Sequence, residues 1–151
     1  MPTILHRLAR WADSDPHSVA QRYKRNGVWE SITAAEYCDR MYYLALFFES
    51  RGMTQQDIGT VLAPNSYHWV HCDLAYLLLG AKSAGLYPNS TSKDIAYILN
   101  HTESRFLAVK DKEFFQKSDD PFYNSDCFSL GGVCTGIESK LNFNRNVQAR
   151  T

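Results

Sequence analysis

His68, His71 and Cys72 fall within one helical turn, and imidazole and thiolate groups are the ligands zinc prefers. A closed zinc site needs a fourth ligand and usually draws its ligands from separate elements, so these three alone do not make one. The expected state of the histidines is a helix side chain paired with backbone or solvent. Asp57, Asp73 and Asp94 are spread over separate elements, so nothing marks a carboxylate pair for acid–base work. Tyr42, Tyr43, Phe47 and Phe48 cluster at helical spacing, which favours a core role over a stacking platform for bases. The chain has no G-x-G-x-x-G fingerprint and no P-loop lysine motif, so dinucleotide or P-loop binding lacks its usual signal.

The composition of the 151 residues excludes several other classes. Net charge is zero with histidine neutral, so no global excess calls for nucleic acid, acidic lipid or a basic partner. The four cysteines, Cys38, Cys72, Cys127 and Cys134, form no C-x-x-C pair, and two sit inside apolar helical patterns. A reducing compartment is expected over a disulfide framework. No apolar secretory segment opens the chain, and the most apolar window, Trp69 to Ala84, is too short and too interrupted by His71, Asp73 and Lys82 to span a bilayer. The sequons at Asn89 and Asn100 are therefore read as chance. The expected localisation is cytoplasmic.

These residues must be held by elements that the pattern also predicts. Ile4, Leu5, Leu8, Ala9, Trp11 and Ala12 recur at helical spacing opposite Arg7 and Arg10, giving a short amphipathic helix ending near Asp15-Pro16. Its expected role is to pack that stripe on the domain. With no acidic residue before Asp13, a mitochondrial presequence or peripheral membrane contact is the alternative. Ala20–Arg25 and Val28–Ile32 flank Asn26-Gly27, a hairpin signal. Thr33 and Glu36 form a capping box before a helix whose Tyr37, Met41, Leu44 and Phe48 share a face, with Gly52 as its stop.

From Asp57 the order becomes β-α-β-α-β-α. Strands are expected at Asp57–Ala63, Ala81–Tyr87 and Arg105–Lys110. The first intervening helix, capped by Asn65 or Ser66 and apolar on most sides, should be largely buried; the second is capped by Thr91 or Ser92. A last short helix is expected at Lys112–Lys117. Alternation at this spacing predicts an α/β fold with a parallel βαβαβ sheet, flanking helices and an N-terminal β-hairpin. From Ser118 the period is lost, so 118–151 reads as an irregular or disordered tail with a short strand near Phe128.

Several spaced positions together resemble the N-terminal part of AMP-forming acyl-CoA synthetases. They are Trp29-Glu30-Ser31-Ile32-Thr33, Glu36-Tyr37, Gly52, Asn65-Ser66, Trp69, Asp73-Leu74-Ala75, Gly80-Ala81 and Leu86-Tyr87-Pro88. The run "DIAYILNHTES" is similar to the long-chain fatty-acid–CoA ligase branch. The resemblance covers residues 1–117 and implies an incomplete N-terminal subdomain of an adenylate-forming enzyme. His68 stands where that family often has Glu.

The resemblance implies ATP-dependent formation of an acyl-adenylate, then thioesterification to coenzyme A, with ATP, Mg and coenzyme A as the family's cofactors. The family's phosphate loop, its aromatic-Gly-x-Thr-Glu motif, an Asp for ribose, an Arg and a C-terminal Lys lie downstream of the matched part. Gly131–Lys140, "GGVCTGIESK", shares only Thr135-Gly136 with that loop, and Glu138 would set a negative charge beside phosphate. No residue is assigned as catalytic, cofactor-binding or metal-ligating. The chain is expected to end before the catalytic motifs and to be inactive alone, with a frameshifted or alternative end as one origin of the tail. Its expected partner is itself or the remainder of a synthetase, with no nucleic acid. The alternative is a non-catalytic α/β interaction or ligand-binding module, with ligands near Pro64-Asn65, Pro88-Asn89 and Asp111.

Overall fold

A computed structural model describes residues 2–110 and 126–129. Helix α1, Ile4–Ser14, starts at Thr3, whose hydroxyl accepts the His6 N–H while the His6 ring accepts from the Thr3 N–H. Leu5, Leu8, Trp11 and Ala12 are half-buried on one stripe, and the Cys38 thiol donates to the Leu8 carbonyl at 3.6 Å. The helix packs this stripe on the domain, but Ile4, 55% exposed, and Ala9, also exposed, fall outside it, contrary to expectation.

Strands β1, Val19–Arg25, and β2, Val28–Thr33, pair antiparallel around Asn26 and Gly27. Both turn residues have positive φ, 50° and 84°, the conformation that turns a right-twisted hairpin tightly. Thr33 and Glu36 then close a capping box at the start of α2, Ala34–Ser50. Met41, Leu44 and Phe48 are buried from the predicted face, with Tyr37 half-buried at its edge. Gly52, at φ 82°, ends α2 by donating to the Glu49 carbonyl at 2.8 Å.

The second sheet is parallel, in the order β4-β3-β5-β6. β3 is Ile58–Leu62, β4 Lys82–Leu86, β5 Phe106–Val109 and β6 Asp126–Ser129. Helix α3, Tyr67–Leu78, joins β3 to β4, and α4, Ser92–His101, joins β4 to β5. The first crossover places β4 on one side of β3 and the second returns to place β5 on the other. Alternate side chains of the strands feed two cores. Val61, Ala63, Phe106 and Ala108 pack with α2 and α3, while Leu62, Leu86, Leu107 and Val109 pack with Ile95 and Leu99 of α4. The strand expected near Phe128 is β6, paired with β5 from Phe106↔Asp126 to Val109↔Ser129. The helix expected at Lys112–Lys117 and most of the predicted irregular tail lie outside the described residues.

As expected, α3 is largely buried, at Tyr67, His71, Cys72, Leu74, Ala75 and Tyr76, with Leu77 and Leu78 at its end each 37% exposed. One expectation for α2 needs correction. Of the aromatic cluster on α2, Phe48 is core and Tyr43 and Phe47 pack against it, but Tyr42 is 54% exposed. Its backbone direction on the helix, and not its apolarity, sets that outcome.

The tightest joint lies between α3 and the central strand. A Cβ on Gly59 would stand 2.5 Å from the Tyr76 ring. Tyr76 is fully buried, meets Phe48 at 4.7 Å between ring centroids, and donates its hydroxyl to the Thr60 carbonyl at 3.4 Å. It has no space to retreat. Below it, Thr60 and Ser104 share a buried side-chain hydrogen bond, and the Ser104 hydroxyl also lies 3.1 Å from the Ile58 carbonyl. Gly59→Ala should therefore destabilise the fold by about 2–3 kcal/mol through overpacking. Urea unfolding would measure it, and a change under about 0.5 kcal/mol would contradict the close approach.

Candidate functional site

Parallel strands bring their carboxyl ends to one side of the sheet, and crossover loops there form a crevice. After β3 the chain runs Ala63-Pro64-Asn65-Ser66, and Ser66 caps α3 by accepting the Trp69 N–H at 3.3 Å. After β4 it runs Tyr87-Pro88. Between them lies a hollow of about 240 Å3 lined by Ala63, Asn65, Trp69, Gly85, Leu86, Tyr87 and Pro88. Trp69 rests on Gly85 closely enough that a Cβ there would be 2.8 Å from the indole. Glycine at 85 is thus what lets the ring lie on β4. Tyr87 is 82% exposed at the mouth.

Asn65 and Trp69 also border a second hollow of about 500 Å3 that reaches β1 at Gln21, Arg22, Tyr23 and Lys24. No carboxylate lines either hollow among the described residues. α3 has no acidic residue in its first turn, so the positive end of its dipole is not neutralised from within. The lining offers aromatic surface, amides and cations. Of the hydroxyls at the helix start, Ser66 is committed as a cap and Tyr67 accepts from Arg25, so the arrangement suits binding over nucleophilic chemistry. The predicted positions Pro64-Asn65 and Pro88-Asn89 fall at this end of the sheet, and Asp111 lies outside the described residues.

The histidine and cysteine trio does not converge into a ligand set among the described residues. His71 is 1% exposed and Cys72 is fully buried, and no group of three potential metal ligands exists among the described residues. The expected pairing of the histidine with backbone or solvent fails at His71, whose Nε2 is buried with no hydrogen-bond partner. Its ring instead meets Tyr37 edge-on at 4.6 Å between centroids. Helix α2 packs over this turn of α3 and covers the ring. Burial, then the Arg40 guanidinium and His68, hold the His71 pKa down at about 3.

Asp57 and Asp94 hold local structure together. Asp57 accepts from the Thr54 N–H at 2.7 Å and the Thr54 hydroxyl at 2.9 Å, and pairs with Arg105 at 3.1 Å. Burial pushes its pKa up, but these bonds outweigh it and the net shift is downward. Asp94 closes the capping box of α4 with Thr91, whose hydrogen bonds lower its pKa. Asp73 lies on α3, apart from both. The hairpin's contribution to the larger hollow was not legible in the sequence. Arg25 and Tyr67, which meet across the hairpin and α3 at 3.5 Å, are 42 residues apart and share no local pattern.

The fold and site define a class already shared by other proteins. The family of AMP-binding enzymes matches residues 8–133, and the chain belongs to it. Among curated relatives, the chain is 28% identical over 93 residues to the long-chain-fatty-acid–CoA ligase FadD15 of Mycobacterium bovis. It is 29% identical over 92 residues to the long-chain-fatty-acid–CoA ligase heimdall of Drosophila melanogaster. These alignments take in 62% and 61% of this chain but only 16% and 14% of the relatives. This chain thus resembles the N-terminal part of long-chain fatty-acid–CoA ligases. In solved structures, the N-terminal subdomain of Klebsiella oxytoca NpsA with 3-hydroxybenzoyl-AMSN superposes with a TM-score of 0.74 at 18% identity, over 89% of this chain and 32% of that one. O-succinylbenzoate coenzyme A synthetase (MenE) of Bacillus subtilis with AMP gives 0.71 at 18% identity, over 85% and 32%. These likenesses establish the fold.

The buried imidazole sets an acid sensitivity. Its folded pKa lies below the ordinary value of 6.5, so the unfolded chain binds the proton more readily. The stability from keeping His71 neutral is complete above about pH 6.5 and is lost as pH falls toward 3. Urea unfolding at pH 6.5 and 5.0 should show a loss of roughly 1–2 kcal/mol that His71→Leu lacks. Equal pH dependence in both proteins would contradict the neutral burial.

Proposed function

We propose that this chain forms the opening scaffold of a long-chain fatty-acid–CoA ligase-type protein and performs no adenylation alone. One observation carries the reading: the family match runs over residues 8–133, while the ligase alignments take in only 16% and 14% of the relatives' length. The reaction of the larger protein is ATP-dependent activation of a fatty acid to its acyl-adenylate, then transfer to coenzyme A. Such chemistry rests on amides and cations that grip a triphosphate and stabilise its charge. We assign the binding of ATP, Mg and coenzyme A to residues beyond the matched part. The sequence of Gly131–Lys140, with Glu138 in place, supports leaving that role elsewhere. The hollow between Trp69 and Tyr87 supports a wall for ligands at the carboxyl end of the sheet.

The proposed partner is the remainder of a synthetase, with self-association when that is absent. β4 supports this, because among the described residues it is an end strand in the order β4-β3-β5-β6, and an unpaired strand edge invites pairing. We place the protein in the cytoplasm. That reading is supported by Cys38 and Cys72, neither of which is in a disulfide. No helix is long and apolar enough to cross a membrane among the described residues.

ATP–pyrophosphate exchange with the purified chain and fatty acids of graded length tests the first claim. The expected result is no exchange above the enzyme-free background, and robust exchange with any acid would overturn the scaffold reading. Light scattering after size exclusion tests the second. The mass should rise with loading concentration, and a strictly monomeric species throughout would remove self-association.

A further inference from the structure

β4, Lys82–Leu86, leaves backbone groups unused along one side. The Lys82 N–H donates to the Asp57 carbonyl at 3.1 Å, and the strand runs in register with β3 from Ile58↔Lys82 to Leu62↔Leu86. In a parallel ladder the N–H and C=O of one residue point the same way, and successive residues alternate. Lys82, Ala84 and Leu86 therefore turn both groups toward β3, and Ser83 and Gly85 turn theirs away from it. Among the described residues β4 ends the sheet order, and neither outward N–H has a hydrogen bond.

Natural sheets blunt such an edge with a proline, a bulge or well-placed charges. β4 has no proline, its register with β3 is unbroken, and its single charge, Lys82, stands at the first position. The middle of the edge is Ser83, Ala84 and Gly85, all small, so a second backbone can approach to strand distance. The pattern is also self-complementary. A two-fold axis at Ala84 runs a second β4 antiparallel to the first and sets Ser83 of each copy opposite Gly85 of the other. Each such pair then exchanges both its N–H···O bonds. Lys82 falls opposite Leu86, so no like charges meet, and a net charge of zero leaves no overall repulsion between copies.

We propose that β4 is a homodimer seam, at which two copies of this chain pair antiparallel through Ser83 and Gly85 into one continuous sheet. This seam gives the self-association proposed above, on which it rests, an edge, a direction and a register.

Mild oxidation of the full 151-residue chain carrying Ala84→Cys tests the register. Across the axis, position 84 meets itself in the close, non-hydrogen-bonded kind of pair, with Cα atoms about 4.5 Å apart, within disulfide reach. Peptide mass spectrometry should find a disulfide joining position 84 of one copy to position 84 of another. It should form at several times the level of the like disulfide in Lys24→Cys, a control on the exposed hairpin. Ser83→Pro removes an outward N–H and leaves the ladder to β3 whole. Its circular dichroism should match the parent's, and its dimer dissociation constant by sedimentation equilibrium should rise about tenfold or more. A mass that rises with concentration without excess disulfide at position 84 would overturn this seam and leave self-association standing. A strictly monomeric parent chain would remove both. A folded Ser83→Pro variant that dimerises as tightly as the parent would also overturn the seam, and if that variant does not fold the disulfide decides alone.

Discussion

The contact of Tyr76 with Gly59 is the constraint on which the other placements depend. A strand residue without a side chain lets an aromatic ring lie against the backbone of the central strand, and the ring's hydroxyl then reaches the Thr60 carbonyl. This fixes α3 in height and rotation over β3. Phe48 meets the same ring, so α2 is located by it too. Once α3 is set, its first turn stands at the carboxyl end of the sheet, with Asn65, Ser66 and Trp69 around the two hollows. Gly85 repeats the device one strand over, admitting Trp69 onto β4. Two missing side chains thus decide where the candidate site is.

Local physics made most of the elements legible. Asn26-Gly27 announced the hairpin because both residues tolerate positive φ, and Thr33 with Glu36 announced α2 because each satisfies an orphan amide of the other's segment. The order of strands and helices after Asp57 fixed the parallel sheet, since crossovers of that length permit little else. What stayed illegible depended on contacts between elements. The environment of His71 is set by Tyr37, 34 positions away on a different helix, so its sequence neighbours could not foretell a buried Nε2 without a hydrogen-bond partner. The exposure of Tyr42, Leu77 and Leu78 depends on how many layers cover each helix, which apolarity does not report. Likewise the union of Arg22 and Lys24 with Asn65 and Trp69 needed the hairpin to dock on α3.

The same geometry explains how a short piece of a large enzyme family can hold a recognisable shape. The strands supply two separate cores, one under α2 and α3 and one under α4, so each face of the sheet is sealed by its own helices. Thr60 and Ser104 tie β3 to the entry of β5 through the interior, and Asp57 with Arg105 does so at the surface. A buried pair of hydroxyls adds modestly to stability, but leaving either unsatisfied would be costly, so the pairing favours one register over its neighbours.

The strand order also governs how the chain is made. β3 is the centre of its neighbourhood, with β4 on one side and β5 on the other, yet it precedes both in sequence. On a ribosome, its edges emerge first and wait for partners that arrive one at a time, the second only after residue 106 has been added. During that interval an apolar strand, Ile58–Leu62, lies open to pairing with other nascent chains, a hazard of slow parallel assembly. Newly synthesised copies should lean on chaperones more than the finished fold does.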